Sequence, residues 1–168
     1  MISVFTRASV RGRVSPRTVR RRAGKLLDLV GQPTAELAII LTGDAEIRAL
    51  NGTYRQKDMA TDVLSFPQSA PDFVPPVGMA LPLGDVVISL ETAQRQAESD
   101  GCLPRVRAAL GPVAPIPWTA SDETAFLLVH GVLHLLGHDH HTPEETQAME
   151  RREHALLTAL FTRGGRSA

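Results

Sequence analysis

The sequence predicts an α+β fold of α/β-like character, in which a small mixed four-stranded sheet packs against about five helices. This prediction depends on two observations. Short apolar runs of strand length alternate along the chain with longer segments in which apolar residues recur at helical spacing. Interleaved elements of this kind form a sheet layer that is covered by helices. The 168 residues suffice for one hydrophobic core, so we expect a single domain over residues 1–168.

The four strands are predicted by short apolar runs that end at turn-forming residues. They lie at residues 2–6, 37–41, 62–67 and 83–88. The second run is apolar throughout, which is typical of a strand that is buried on both faces. Between the third and fourth runs, residues 68–82 contain four prolines and one glycine, which predicts a loop.

Five segments with apolar residues at helical spacing predict the helices. They begin near Pro16, Asp44, Ser89, Ser121 and Pro143. Ser15, Asp44 and Ser89 are suitable N-cap residues, and a capping box precedes the last helix. The helix that opens at Ser121 is apolar on nearly all sides, which predicts a central, buried position. After the last helix, residues 164–168 are expected to form a frayed tail.

Residues 101–120 interrupt this regular pattern, because they contain four prolines and little polar periodicity. Proline is common in loops and disrupts the interior of a helix. We therefore expect a proline-rich surface insertion over this stretch, held against the rest of the protein by Trp118.

The composition excludes several classes of protein. The chain has one cysteine, Cys102, so it contains no internal disulfide, and a reducing compartment fits. No apolar run approaches the roughly 18 residues that a membrane-spanning helix requires. Residues 1–25 are rich in arginine and contain no acid, as organelle transit peptides do. Because this region already contains a predicted strand and a helix start, we favour a cytoplasmic protein. Its basic first helix either meets phosphates or is a solvated surface.

A cluster of histidines late in the chain predicts a metal site. Five of the six histidines lie there, and three follow the spacing His130-x3-His134-x5-His140. Residues four apart on a helix are separated by about 40° around its axis and about 6 Å along it, so His130 and His134 face the same ion. Gly137 can adopt the left-handed conformation that ends a helix, which would turn His140 back toward that ion.

Three imidazoles that leave a fourth position open are typical of a catalytic zinc site, here at the end of a buried helix. Zinc lowers the pKa of a water in the open position to about 7, so the site predicts hydrolysis or metal-assisted transfer. The same spacing occurs in metzincin peptidases, whose general base is a glutamate directly after the first histidine. Gly131 occupies that position, which disfavours a peptidase. His138 and Asp139 are candidate bases by adjacency alone, Asp139 could equally orient a ligand, and the role of His141 stays open.

A second stretch, residues 50–67, supplies a cation that could act beside the metal. Arg55 and Lys57 lie on it between a predicted helix and a predicted strand. A guanidinium near a metal can bind a phosphate through two hydrogen bonds and stabilise its developing charge. Alternatively, Arg55 pairs with an acid on the surface, and this stretch alone leaves both interpretations open.

Three stretches of the chain carry a family resemblance. Residues 130–140 read His-Gly-Val-Leu-His-Leu-Leu-Gly-His-Asp-His, and residues 51–67 contain Tyr-Arg followed by Thr-Asp-Val-Leu-Ser-Phe-Pro. Residues 83–88 read Leu-Gly-Asp-Val-Val-Ile. In order and spacing these closely resemble motifs of the YbeY family of bacterial endoribonucleases. The chain departs from that family at His138, where tyrosine is usual, and residues 101–120 look longer than usual.

The resemblance implies a zinc-dependent endoribonuclease, specific for single-stranded RNA, that acts in ribosomal RNA maturation and ribosome quality control. It implies that His130, His134 and His140 bind one Zn²⁺ per chain, and that Arg55 is the family's functional arginine. The implied partners are RNA and ribosomal or ribosome-assembly proteins, with no membrane partner. The alternatives are a ribosome assembly factor whose zinc is mainly structural, and another metallohydrolase. The nucleophile, the general base and the oligomeric state stay open.

Overall fold

A computed structural model describes residues 1–70 and 72–162, so the tail expected at residues 164–168 lies outside the described part. The described residues form four strands and six α-helices. The strands are β1 (Ile2–Thr6), β2 (Glu36–Thr42), β3 (Val63–Pro67) and β4 (Pro82–Ser89). The helices are α1 (Pro16–Leu29), α2 (Asp44–Arg55), α3 (Leu90–Glu98), α4 (Cys102–Leu110), α5 (Ala120–Leu135) and α6 (Pro143–Phe161). None of the helices described combines the length and the apolar character that crossing a bilayer requires.

The strands form one mixed sheet in the order β1-β2-β4-β3. Strands β1, β2 and β4 run parallel to one another, and β3 pairs with β4 in the antiparallel direction at one edge. Each predicted strand agrees with an observed one to within one residue at either end. The predicted α+β fold with a small mixed sheet is therefore confirmed.

Helices cover both faces of the sheet, and the alternation of side chains along the strands shows which helix lies where. On one face, Ile47 of α2 packs against Leu64 of β3 and Val87 of β4. On the other face, α5 lies against Ser65 and Val86, the neighbouring positions on the same two strands. Helices α1 and α3 contribute with α5 to the main core on this second face. Helices α2 and α5 therefore lie on opposite sides of the sheet.

The proline-rich stretch at residues 101–120 differs from the expected surface excursion. Its first half forms α4, whose Cys102, Val106 and Leu110 recur every four residues and are buried in the main core. Pro104 lies in the first turn, where the backbone nitrogens have no partner within the helix, so this proline does not break it. The expectation of a surface insertion is wrong for this half, and α4 raises the number of α-helices described from the expected five to six.

The expected cap of α2 is also wrong. Gly43 is the N-cap, and Asp44 is the first residue of the helix. The Asp44 carboxylate instead accepts hydrogen bonds of 2.6 Å from the hydroxyls of Ser89 and Thr92, and so ties α2 to α3. Ser89 does cap α3, as predicted, by accepting a hydrogen bond from the Thr92 N–H at 3.2 Å. The Ser89 hydroxyl thus both caps α3 and donates to Asp44 of α2.

The closest packing between α5 and the sheet occurs at Gly131. A Cβ atom at this position would lie 2.7 Å from Val86 Cγ1 and 3.2 Å from Ser65 Oγ. Because atoms in a packed interior do not approach so closely, only glycine allows the helix to lie this near β3 and β4. The Ser65 hydroxyl also donates a hydrogen bond of 2.9 Å to the Gly131 carbonyl, which holds the helix at this place on the sheet.

We expect Gly131→Ala to destabilise the protein, because the added methyl group pushes α5 away from Val86 and overpacking costs about 1–3 kcal/mol. Gly52→Ala in α2 is the matched control, since a Cβ there meets no atom within 4 Å. This second substitution should stabilise its helix by up to about 1 kcal/mol. Urea titrations that give the free energy of unfolding compare both variants with the wild type. A Gly131→Ala protein as stable as Gly52→Ala would contradict the close packing.

Candidate metal centre

His130 and His134 lie one turn apart near the C-terminal end of α5 and project from the same face, as helix geometry predicts. Their side chains are half-buried, and their Nε2 atoms are 3.1 Å apart. Two nitrogens that each lie about 2.0–2.1 Å from one tetrahedral metal ion are separated by about 3.3 Å. The observed separation fits two ligands of a shared ion.

A Schellman motif ends α5 and turns the chain toward the third histidine. Gly137 has a φ of 88°, in the left-handed region. The N–H of His138 donates to the carbonyl of Leu133, at 3.0 Å. The N–H of Gly137 donates to the carbonyl of His134, also at 3.0 Å. The ring of His140 thereby comes within 5.1 Å of the His134 ring, between centroids. The predicted turn at Gly137 is confirmed.

Glu153 on α6 is a part of the centre that the sequence analysis missed. Its carboxylate lies 2.9 Å from His130 Nδ1 and is buried, with 8% of the residue exposed. A carboxylate accepts a hydrogen bond, so Nδ1 of His130 carries the proton and Nε2 presents its lone pair to the centre. One sequence feature could have indicated this residue. Glu153 is a charged residue between Met149 and Leu156 on the buried face of α6, where packing alone favours an apolar side chain.

The three predicted ligands come together as a group. One ligand nitrogen from each of His130, His134 and His140 lies within 4.8 Å of those from the others, so the group could hold a metal ion. Burial lowers the pKa of His134 below its ordinary value, and the neighbouring charges of the other two histidines lower it further. Since neutral imidazole is the form that binds metals, this environment favours the ligand form of His134.

Asp139 stabilises the segment that follows the turn at Gly137. The Asp139 carboxylate accepts a hydrogen bond of 2.8 Å from the His140 N–H and lies 2.7 Å from Nε2 of the exposed His141. The backbone hydrogen bond from His140 holds the pKa of Asp139 below its usual range, and nearby histidines contribute. A carboxylate with a lowered pKa is a weaker proton acceptor. Asp139 therefore supports the conformation of the segment that carries His140.

Gly131 lies between the first two histidines and faces the sheet. A side chain at this position has no room, because its Cβ atom would already lie 2.7 Å from Val86. The glutamate that serves metzincin peptidases as a base would thus be directed into β3 and β4 and away from the histidines. The sequence disfavours a peptidase because Gly131 cannot act as a base. The structure adds that no larger side chain fits at this position.

Arg55 belongs to a different helix from the first two histidines. It is the last residue of α2, the helix that packs on the face of the sheet opposite α5, and its side chain is exposed. Among the described residues it forms no hydrogen bond or ion pair, whereas Arg48 of the same helix pairs with Asp58 at 2.8 Å. The alternative in which Arg55 pairs with a surface acid is therefore not observed in this part of the chain.

Together, the fold and the centre define an α+β protein with a three-histidine cluster at the end of a central helix. Comparison with known proteins assigns the family. Residues 10–161 match the family model described as Endoribonuclease YbeY. The chain therefore belongs to the YbeY family, and the resemblance found in the sequence is confirmed.

Individual relatives agree with this assignment. The chain is 44% identical over 149 residues to Endoribonuclease YbeY of an Anaeromyxobacter species, a match that covers 89% of this chain and 67% of the relative. It is 44% identical over 159 residues to the protein of the same name from Anaeromyxobacter dehalogenans, covering 95% and 72%. The solution structure of a Thermotoga maritima protein superposes with a TM-score of 0.60 at 19% identity and covers 100% of this chain and 99% of its own. This last match shows a shared fold.

We expect the purified protein to carry about one metal ion per chain and His134→Ala to lose it, because two imidazoles hold an ion far less tightly than three. His141→Ala is the matched control, since His141 belongs to the same segment but not to the group of three. Inductively coupled plasma mass spectrometry of the purified proteins measures their metal content. Full occupancy in the His134→Ala protein would overturn the ligand assignment.

Proposed function

We propose that this protein is a zinc-dependent endoribonuclease that cleaves single-stranded RNA in ribosomal RNA maturation and ribosome quality control. The observation that carries the proposal is the convergence of His130, His134 and His140 in a chain of the endoribonuclease YbeY family. The substrate is RNA, and we place the protein in the cytoplasm with ribosomal or ribosome-assembly proteins as further partners.

The donor set supports zinc as the metal. Three imidazole nitrogens, with no fourth ligand in the group among the described residues, are typical of catalytic zinc. When bound there, zinc supplies a Lewis acid with an open coordination position. Glu153 holds the proton on Nδ1 of His130, which keeps this ring in one tautomer and one orientation.

Arg55 is proposed to bind the scissile phosphate. Its guanidinium is exposed at the end of α2 and is free of acidic partners among the described residues, so it is available for a substrate anion. A guanidinium binds two phosphate oxygens at once, which both positions the phosphate and stabilises negative charge that develops on it. Because α2 and α5 lie on opposite faces of the sheet, we expect RNA that contacts both Arg55 and the histidines to pass the edge strand β3.

The basic first helix offers a second contact to RNA. Arg22 donates to the Asp122 carboxylate at 2.7 Å, and Lys25 donates to the carbonyl of Leu160 at 3.1 Å. The exposed arginines of α1 without an ion pair in the described part of the chain are Arg17, Arg20 and Arg21. Their spacing places them on one face, where they can bind successive phosphates.

The competing function is a ribosome assembly factor whose zinc is mainly structural. One observation favours it: Arg55 belongs to α2, whereas His130 and His134 belong to α5 on the opposite face of the sheet. The two functions make different predictions for RNA cleavage. A nuclease that uses Arg55 cleaves RNA and loses activity when Arg55 is removed, whereas an assembly factor cleaves no RNA with or without Arg55.

We expect Arg55→Ala to retain its metal and its fold and to cleave single-stranded RNA at least about a hundredfold more slowly, as when a charge-stabilising donor is removed from an active site. Arg48→Ala is the matched control, because this guanidinium lies on the same helix and is already paired with Asp58. Cleavage of a labelled single-stranded RNA at one salt concentration measures both variants.

The control protein should cleave at the wild-type rate. Equal rates for Arg55→Ala and the wild type would refute the phosphate role. Absence of cleavage by a wild-type protein that holds its metal would favour the assembly factor.

A further inference from the structure

The one tyrosine of the chain, Tyr54, lies in the last turn of α2 directly before Arg55. The residue is 65% exposed, which is unusual for a large aromatic side chain. Its ring contacts the ring of Phe66 on β3 edge to face, with the centroids 5.1 Å apart and the planes at 69°. In such a pair the edge of one ring meets one face of the other, so at least one face of Tyr54 is clear of Phe66. Tyr54 therefore presents an accessible aromatic face to a ligand.

A cavity of about 410 Å³ opens beside this ring, between α2 and the sheet. Tyr54 lines the cavity together with the apolar side chains of Ile40, Leu50, Phe66 and Val87. The volume lies within the range of about 300–1,000 Å³ of small-molecule sites. The cavity therefore has room for a flat group such as a nucleobase next to Tyr54.

The polar rim of this cavity favours one part of a nucleotide over the other. Arg7 donates from Nε to Glu46 at 2.9 Å, so its charge is already matched. Asp85 adds a second carboxylate, which is half-buried and accepts a hydrogen bond of 3.2 Å from Gln68. One cation and two carboxylates repel a phosphate, whereas carboxylate oxygens accept hydrogen bonds from the N–H groups of a base. The rim therefore suits a base and leaves the phosphate to Arg55.

Tyr54 and the end of α5 lie on opposite faces of the same part of the sheet. Phe66 contacts Tyr54, and the next residue of β3 pairs with Gly84 of β4. A Cβ atom at Gly84 would lie 3.1 Å from Cδ2 of Leu135, the residue after His134. Because β3 is an edge strand, a single strand of RNA can pass around it from Tyr54 toward the histidines.

We propose that Tyr54 stacks on one base of single-stranded RNA in this cavity, while Arg55 binds a phosphate next to that base. Every base has a flat π-face, and aromatic side chains beside cations are the surfaces on which single strands stack. Phe66 supports the Tyr54 ring from the side of the sheet. The inference rests on the proposed function, because it takes RNA as the substrate.

The test replaces tyrosine by 3-fluorotyrosine, which places a single ¹⁹F NMR signal at Tyr54. The metal-free protein is titrated with a short single-stranded RNA and with an abasic strand of the same length, which keeps the phosphates and lacks the bases. We expect the RNA to shift the fluorine signal, because the ring current of a stacked base acts on Tyr54. The abasic strand should shift it far less.

Substitutions give the second readout, the affinity for each strand at one salt concentration. Tyr54→Ala should weaken binding of the RNA about tenfold, as expected for the loss of one base stack, and Tyr54→Phe should bind as the wild type does. Leu103→Ala is the matched control, because it removes an exposed apolar side chain of α4 outside the cavity, and it should leave the affinity unchanged. Affinity for the abasic strand should not depend on Tyr54.

Three results would overturn the proposal. The first is an RNA that fails to bind or that binds without moving the fluorine signal. The second is wild-type affinity of Tyr54→Ala for the RNA. The third is an equal loss of affinity for the RNA and for the abasic strand, because a general defect at the end of α2 would weaken both. The fluorine titration uses the unsubstituted chain, so it decides the question even if Tyr54→Ala fails to fold.

Cleavage by the metal-loaded protein separates this proposal from the nuclease function. Tyr54→Ala should show a KM raised about tenfold and an unchanged kcat, because the stack holds the RNA equally before and during the reaction. A wild-type KM in this variant would refute the stacking role and leave the nuclease function intact. Absence of cleavage by the metal-loaded wild type would refute the nuclease function and leave the fluorine titration to decide whether Tyr54 binds a base.

Discussion

The close contact between α5 and the sheet at Gly131 determines where the whole centre lies. The helix approaches β3 and β4 without an intervening side chain, and the Ser65 hydroxyl binds the Gly131 carbonyl at 2.9 Å. His130 and His134 stand on either side of this contact along the helix. Any sliding or rotation of α5 would move both imidazoles, so the packing that excludes a side chain at residue 131 also positions these two rings.

Two further interactions complete the centre from the C-terminal part of the chain. The Schellman motif at Gly137 reverses the backbone and brings His140 toward the other rings. The buried carboxylate of Glu153 then joins α6 to α5 through His130. The position of α5, the turn at Gly137 and the buried hydrogen bond from His130 to Glu153 thus each fix one part of the site. Zinc bound by the three histidines would connect α5 with the segment after the turn.

Much of this arrangement was predictable, because the deciding signals are local. The spacing of His130 and His134 follows from the helix repeat, and the turn at Gly137 follows from the conformational freedom of glycine. The strands were predicted from short apolar runs, and the family from motifs in the chain. These features require only residues that are near each other in sequence.

The missed features depend on contacts between distant segments. Glu153 lies 23 residues from His130, and its role depends on how α6 docks on α5. The significance of Gly131 as a packing residue depends on β3 and β4 and could not be derived from its helix. The prolines of residues 101–120 predicted a loop. Composition does not show that Pro104 lies in the first turn of a helix, where proline is tolerated. The packing of α2, which ends at Arg55, on the face opposite α5 likewise depends on contacts between distant segments.

We propose that RNA cleavage depends on zinc held by the three-histidine cluster. The most direct measurement removes the metal with a chelator and then titrates zinc back while the cleavage of a labelled single-stranded RNA is followed. We expect no cleavage by the metal-free protein and full recovery at about one zinc per chain. Cleavage that continues at the original rate in the metal-free protein would show that the cluster is not a zinc site needed for cleavage.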